Sequence, residues 1–158
     1  MRPELDELDF RIIEQLQEDG RRRYTAIAKA LGVSEGTVRQ RVGRLRRRGV
    51  IQIVAVADPL ELGFGVVATI GLRVRGRSIQ DAARRIAELP EVDYLVIVTG
   101  SVDMLVEVVC RDPAHLLRLI SEDLVRLPGV ECTETFTFLK RVKETHRWPY
   151  SAEPRAQE

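Results

Sequence analysis

An α+β chain in two parts is what the sequence predicts, and three observations carry that prediction. Apolar residues recur at helical spacing through the first fifty residues, then switch to two-residue strand periods interleaved with helices. Leu89-Pro90-Glu91-Val92 returns 38 residues later as Leu127-Pro128-Gly129-Val130, each time between an amphipathic helix and a strand. Charge is divided in the same places. Two arginines face seven acids in residues 1–20, and ten basic residues face Glu35 alone in residues 21–48. From residue 49 onward 13 basic residues face 16 acidic ones, so the three balances are −5, +9 and −3. The formal net charge of +1 over 158 residues thus hides a basic block, the pattern of a polyanion-binding module beside a part with another role.

Leu5, Leu8, Ile12, Ile13 and Leu16 line one face of a first helix, with Asp6 and Asp9 as a capping pair and Gly20 as its stop. A short second helix is expected over residues 25–31, with Thr25 as N-cap, Ile27, Ala28 and Leu31 inward, and Gly32 terminating it. Ser34 caps a third helix that ends at Gly49. Three helices with a tight Gly32-Val33 turn between the last two make a helix-turn-helix unit.

At about 100° per residue, Val38, Val42 and Leu45 of the third helix share a narrow arc that must be buried. Gly36, Gln40, Gly43 and Arg47 occupy the opposite arc, with Arg39 and Arg44 beside it. Arg and Gln read base edges bidentately, while Ser34, Thr37 and the helix N-terminus can hold a phosphate. The candidate DNA contacts are therefore Ser34, Gly36, Thr37, Arg39, Gln40, Arg44 and Arg47. Gly36 and Gly43 each weaken the helix by about 1 kcal/mol relative to Ala; either they admit close approach to DNA or they are incidental. Arg41, on the flank of the buried stripe, is expected to pair with the acidic first helix, and Arg46 and Arg48 to serve phosphates and the helix C-terminus. Residues 50–57 read as a strand, the wing or connecting strand of a winged helix-turn-helix. That unit is assigned residues 1–57, and a hinge opening on Asp58-Pro59 residues 58–65.

Strands are expected over 66–74, 92–99, 104–110 and 130–142, and helices over 79–89 and 113–127. The order βαββαβ, with its internal echo, predicts a ferredoxin-like sandwich over residues 66–143. The third and fourth strands are not neighbours in that fold, so Cys110 and Cys132 are expected as buried free thiols. Two helices cover one side of the sheet. Apolar Ile70, Leu72, Val96 and Val98, placed on the other side, argue for a second copy and hence a homo-oligomer. Thr133, Thr135 and Thr137 form a ladder along the last strand, and residues 144–158 are assigned as a polar tail.

Several classes are disfavoured. No run of 18 apolar residues exists to span a bilayer, and the acidic opening after Met1-Arg2 does not read as a secretory signal, so a cytoplasmic location is expected. Gly63-x-Gly65-x-x-Ala68 resembles a dinucleotide fingerprint but precedes a strand where it should open a helix. His115 and His146 lack partners at metal-ligand spacing and are read as surface residues, and Asp103 with Glu107 is a weak acid pair. No metal, cofactor or catalytic residue is expected, and no enzyme.

The residues also carry a family likeness. Leu8-Asp9-x-x-Ile12-Ile13-x-x-Leu16-x-x-Asp19-Gly20-Arg21 resembles the opening of the Lrp/AsnC (feast/famine) regulators. So does Ile27-Ala28-x-x-Leu31-Gly32-x-Ser34-x-x-Thr37-Val38-x-x-Arg41-Val42-x-x-Leu45-x-x-x-Gly49-Val50-Ile51. Asp58-Pro59-x-x-Leu62-Gly63 and Thr99-Gly100-x-x-Asp103-x-Leu105-x-Glu107-Val108 extend the match across roughly residues 5 to 143. The resemblance implies a regulator of transcription that binds double-stranded DNA and an amino-acid effector. It also implies a homodimer that assembles further, for example to an octamer. The family's effector turn maps onto Thr99, Gly100, Ser101 and Asp103, with Ser101 replacing a frequent acid; Thr133 and Thr135 are added as candidates to complete the pocket. The rival on the same architecture is a sirohaem-decarboxylase-like enzyme, for which the sequence offers His115, Tyr94 and scattered arginines.

Overall fold

The computed structural model describes residues 5–145. They divide between two compact units, one running to Ala55 and taking up the chain again from Lys143, the other spanning Val56–Val142. The residues assigned as a hinge therefore belong to the second unit: the Gly65 amide donates to the carbonyls of Cys110 and Arg111, and Arg141 pairs with Asp58 at 3.2 Å. Most of the polar tail, with His146, lies outside the described residues.

Among the described residues the first unit holds three helices, α1 (Glu7–Glu18), α2 (Tyr24–Leu31) and α3 (Glu35–Arg47). Asp6 and Asp9 close a reciprocal capping box at the start of α1, each side chain accepting from the other's backbone amide. The expected Thr25 cap is not used. Helix α2 begins one residue earlier, behind Arg23, which makes no side-chain capping bond. It ends at Gly32, whose φ of 69° is the left-handed conformation a helix-terminating glycine adopts cheaply. Ile12, Ile27, Ala28, Val38 and Val42 form the core, with Leu8, Leu16, Tyr24, Leu31, Val33 and Ile51 packed around it.

The wing strand predicted over residues 50–57 is absent. Residues 51–58 run without strand pairing, because alternating apolar residues make a strand only where a neighbour supplies the ladder. Ile51 packs on the helical core, whereas Val54 and Val56 are left exposed.

The second unit contains β1 (Val66–Val74), α4 (Ile79–Ile86), β2 (Val92–Ile97), β3 (Met104–Cys110), α5 (Pro113–Arg118) and β4 (Val130–Thr137). Helix α5 continues through Leu119–Leu124 as a wider π-type turn. The antiparallel sheet has the order β2-β3-β1-β4, which keeps β3 and β4 apart. Strand β4 stops at Thr137 and not at 142, close to where its partner ends: Thr137 opposes Ala68, two residues from the start of β1, and the Phe138 amide donates to the Val67 carbonyl just beyond.

Register settles the faces, since opposed residues of an antiparallel pair share one side. Ala68, Ile70, Leu72 and Val74 of β1 join Met104, Val106 and Val108 of β3 in the core beneath Ala82, Ile86, Leu116 and Leu119. Ile70 and Leu72 thus face the helices, correcting their expected place on the open side. The threonines go with them, Thr133 opposing Leu72 and Thr135 opposing Ile70. The open face carries Val67, Thr69 and Arg73 of β1, Leu105 and Glu107 of β3, Tyr94 and Val96 of β2, and Cys132, Glu134 and Phe136 of β4. Cys110 is buried as expected, but Cys132 is exposed.

Candidate functional site

Ser34 sets the entry to α3. Its Oγ accepts the Thr37 amide at 3.0 Å and lies 2.8 Å from the Thr37 hydroxyl, so both candidate phosphate holders sit at the helix N-terminus. Val38, Val42 and Leu45 are buried as the angular reading requires, Gln40 and Arg47 are exposed on the other side, and Arg46 is exposed on the flank. Arg39 is exposed too, but held: it pairs with Glu35 one turn earlier, and its guanidinium carbon lies 5.6 Å from the centroid of the Tyr24 ring.

Arg44 departs from the expected DNA face. Its Nη2 donates to Asp9 Oδ2 at 2.5 Å, and its Nε is buried without a hydrogen-bond partner. Arg41 donates to Asp9 Oδ1 at 3.1 Å and also pairs with Asp6. Asp9 itself is fully buried. Two arginines of α3 are therefore spent on α1, and the Arg41 guanidinium holds the Asp6 carboxyl below the usual carboxylate range.

Gly36 and Gly43 are not demanded by packing. An added Cβ would meet only Ser34 Oγ at 3.7 Å and the mobile end of Arg47 at 3.4 Å. Gly43→Ala is expected to raise the stability of the helical unit by about 1 kcal/mol and to weaken duplex binding, checked by thermal unfolding and a binding isotherm. Unchanged binding would show that the glycine does not serve close approach.

In the second unit the structure brings residues 99–103 together as the β2–β3 turn. Gly100 has a φ of 146°, and the Asp103 carboxylate accepts the Val74 amide at 2.8 Å, tying the turn to the end of β1. Arg73 donates to the Ser101 carbonyl at 2.7 and 3.2 Å, and Val102 lies where a Cβ on Gly71 would come within 3.0 Å of it. Thr133 and Thr135 are not brought to the Arg73 side of this turn, because they lie on the helix face.

His115 is not a simple surface residue. It is half-buried in the first turn of α5, its Nε2 3.0 Å from Glu91 and its Nδ1 accepting the Arg111 amide at 3.3 Å. Tyr94 lies on the open sheet face, so the residues a decarboxylase would use do not converge. Among the described residues no group of three potential metal ligands is found.

An AsnC-type helix-turn-helix model matches residues 5–46, and an Lrp/AsnC ligand binding domain model matches residues 67–148. The chain belongs to the Lrp/AsnC family. An uncharacterised HTH-type transcriptional regulator of Pyrococcus abyssi is 40% identical over 149 residues, covering 94% of this chain and 92% of its own length. The HTH-type transcriptional regulator FL11 of Pyrococcus horikoshii is 36% identical, over 94% of this chain and 99% of its own. Among solved Lrp/AsnC structures, Escherichia coli AsnC superposes with a TM-score of 0.80 at 26% identity, covering 92% of this chain and 99% of its own. A Neisseria meningitidis transcriptional regulator in complex with L-methionine gives 0.81 at 25% identity, over 92% and 96%. The protein is thus a transcriptional regulator of Lrp/AsnC type, and the decarboxylase reading finds no support.

Three contributors to the Lrp/AsnC site went unread in the sequence. Tyr24 was passed over because nothing local joins it to Arg39, 15 residues away. Asp9 is legible as a cap, and the expected pairing of Arg41 with the acidic first helix is found, but the capture of Arg44 by Asp9 is not readable locally. Arg73 gave no signal, since its contact with the turn spans 28 residues. The Glu35–Arg39 pair, by contrast, was available at i,i+4.

Proposed function

We propose that this regulator reads DNA with the outer face of α3. Gln40 and Arg39 meet base edges in the major groove, while Arg47, Ser34 and Thr37 hold phosphates and Gly36 lies at the point of close approach. The observation that carries the reading is the division of the α3 arginines. Arg41 and Arg44 are committed to Asp6 and Asp9, while Gln40 and Arg47 stand exposed on the opposite side. Two copies related by a dyad would place two α3 helices on a pseudo-palindromic site. Exposed Tyr94 and Phe136 on the uncovered sheet face support a homodimer as that arrangement, with further assembly beyond it. The chain acts in the cytoplasm.

The effector is a small molecule, an amino acid, bound at the turn of residues 99–103. The neighbour solved with L-methionine supports the ligand class. Gly100 leaves the turn backbone amides open to the effector's carboxylate, and Asp103 supplies a negative charge for its ammonium group. Binding to one of two quaternary states would then shift DNA affinity.

Selection of duplexes by the purified protein, with and without pooled amino acids, tests both halves. Gln40→Ala is expected to change sequence preference at one position by about 1–3 kcal/mol. Arg47→Ala is expected to weaken binding to all duplexes and reduce the salt slope by about one. Random-duplex binding and salt slope unaltered by Arg47→Ala would refute the assigned face.

A further inference from the structure

Glu35 is the single acid in the basic block of residues 21–48, and it stands in the first turn of the helix that the block serves. A negative charge at a helix N-terminus is ordinarily explained by the macrodipole. Here it has a second partner. The Glu35 carboxylate is ion-paired with Arg39, which is also the arginine lying over the Tyr24 ring. Tyr24 is itself held, because it packs against the helical core. Arg39 remains two-thirds exposed on its side chain. It is therefore restrained on two sides and open on a third.

We infer that Tyr24 and Glu35 are positioning residues that set specificity by keeping Arg39 off the phosphates and presenting its free edge to a base. The inference rests on the proposed DNA face. A long, unrestrained arginine beside a duplex finds the nearest phosphate, which adds affinity for every sequence and discriminates among none. Glu35 cancels much of that pull, since a neutralised guanidinium releases less counterion on meeting DNA. The Tyr24 ring limits the directions the guanidinium can take, so less ordering is needed when a base edge is met. The pair removes sequence-independent affinity and leaves the sequence-dependent part.

The test uses the full chain and two probes, a duplex selected by the wild-type protein from a random pool and a scrambled duplex of the same composition. Glu35→Gln is expected to tighten scrambled-duplex binding about two- to fivefold, the range of an exposed ion pair, and to steepen the salt slope by about one. Preference for the selected duplex should fall about tenfold. Tyr24→Leu should lower that preference in the same direction, and Tyr24→Phe, which keeps the ring, should restore it. Thermal unfolding confirms that Tyr24→Leu is folded, and Glu35→Gln decides the matter if it is not. On an Arg39→Ala background both effects should vanish. The inference is overturned if Glu35→Gln changes both duplexes by one factor, or acts equally with and without Arg39. The two readings fail separately: an inert Arg47→Ala refutes the face, whereas an effective Arg47→Ala beside an uncoupled Glu35→Gln refutes only the role of Glu35 and Tyr24.

Discussion

Asp9→Ala is expected to destabilise the helix-turn-helix unit by about 2–3 kcal/mol, the larger of two effects confined to that unit. The carboxylate is fully buried and accepts from Arg41, from Arg44 and from the Asp6 amide. Its removal strands Arg44 against α1, while Arg41 keeps only its pair with Asp6. The loss falls short of a wholly buried pair because the Arg41 and Arg44 side chains are 25% and 39% exposed and can turn to water. At 4–8 °C per kcal/mol for a unit this small, Tm should drop by roughly 10–20 °C, followed by far-UV circular dichroism. A loss below about 1 kcal/mol would mean that α1 and α3 are joined by their apolar faces alone. Asp9→Asn should fall between, since the amide oxygen accepts one donor without charge.

Gly129→Ala is the counterpart in the second unit, with an expected cost of about 2–4 kcal/mol. Gly129 has a φ of 90°, and a Cβ there would lie 2.7 Å from Ser78 Cβ. Two costs are combined, backbone strain and overlap, and they can be separated. Ser78→Gly on the Gly129→Ala background should recover the overlap and leave the strain. No recovery would place the whole cost in the backbone. The echoed tetrapeptide makes the comparison internal. Glu91 holds the equivalent position in the first half, and its carbonyl accepts the Val109 amide much as that of Gly129 accepts the Arg75 amide, each at 2.8 Å. Glu91 does this without a positive φ, so a side chain is tolerated there and excluded at Gly129.

What was legible in the sequence was whatever is decided within a few residues. The Asp6–Asp9 box, the Ser34 cap and the Gly32 stop were all readable because capping acts within one turn. Strands β1 and β3 were placed to the residue, each a largely apolar run between turn signals. The same apolar run concealed which side of β1 faced the helices. Val66, Val67, Ala68 and Ile70 are all buried, so alternation offered no contrast and Ile70 and Leu72 were assigned to the wrong face. The side taken by the threonines of β4 was equally unreadable, since it depends on register with β1. The wing failed for a related reason: residues 50–57 have the pattern of a strand, and pattern says nothing about a partner. In the site, the α3 arc was legible from angle alone, while the capture of Arg44 by Asp9 joins residues 35 apart and left no local trace.

The two thiols, alike on paper, turn the open sheet face into something that can be titrated. Cys110 is sealed in the core, and burial pushes its thiol pKa up, so it stays unreactive while the unit is folded. Cys132 stands exposed on β4 opposite Arg73, on the side away from the helices. An alkylating reagent therefore has one fast target on a chain whose sheet is bare and none on a chain whose sheet is covered over that strand. The stoichiometry of labelling, with no residue engineered, is a direct count of uncovered faces.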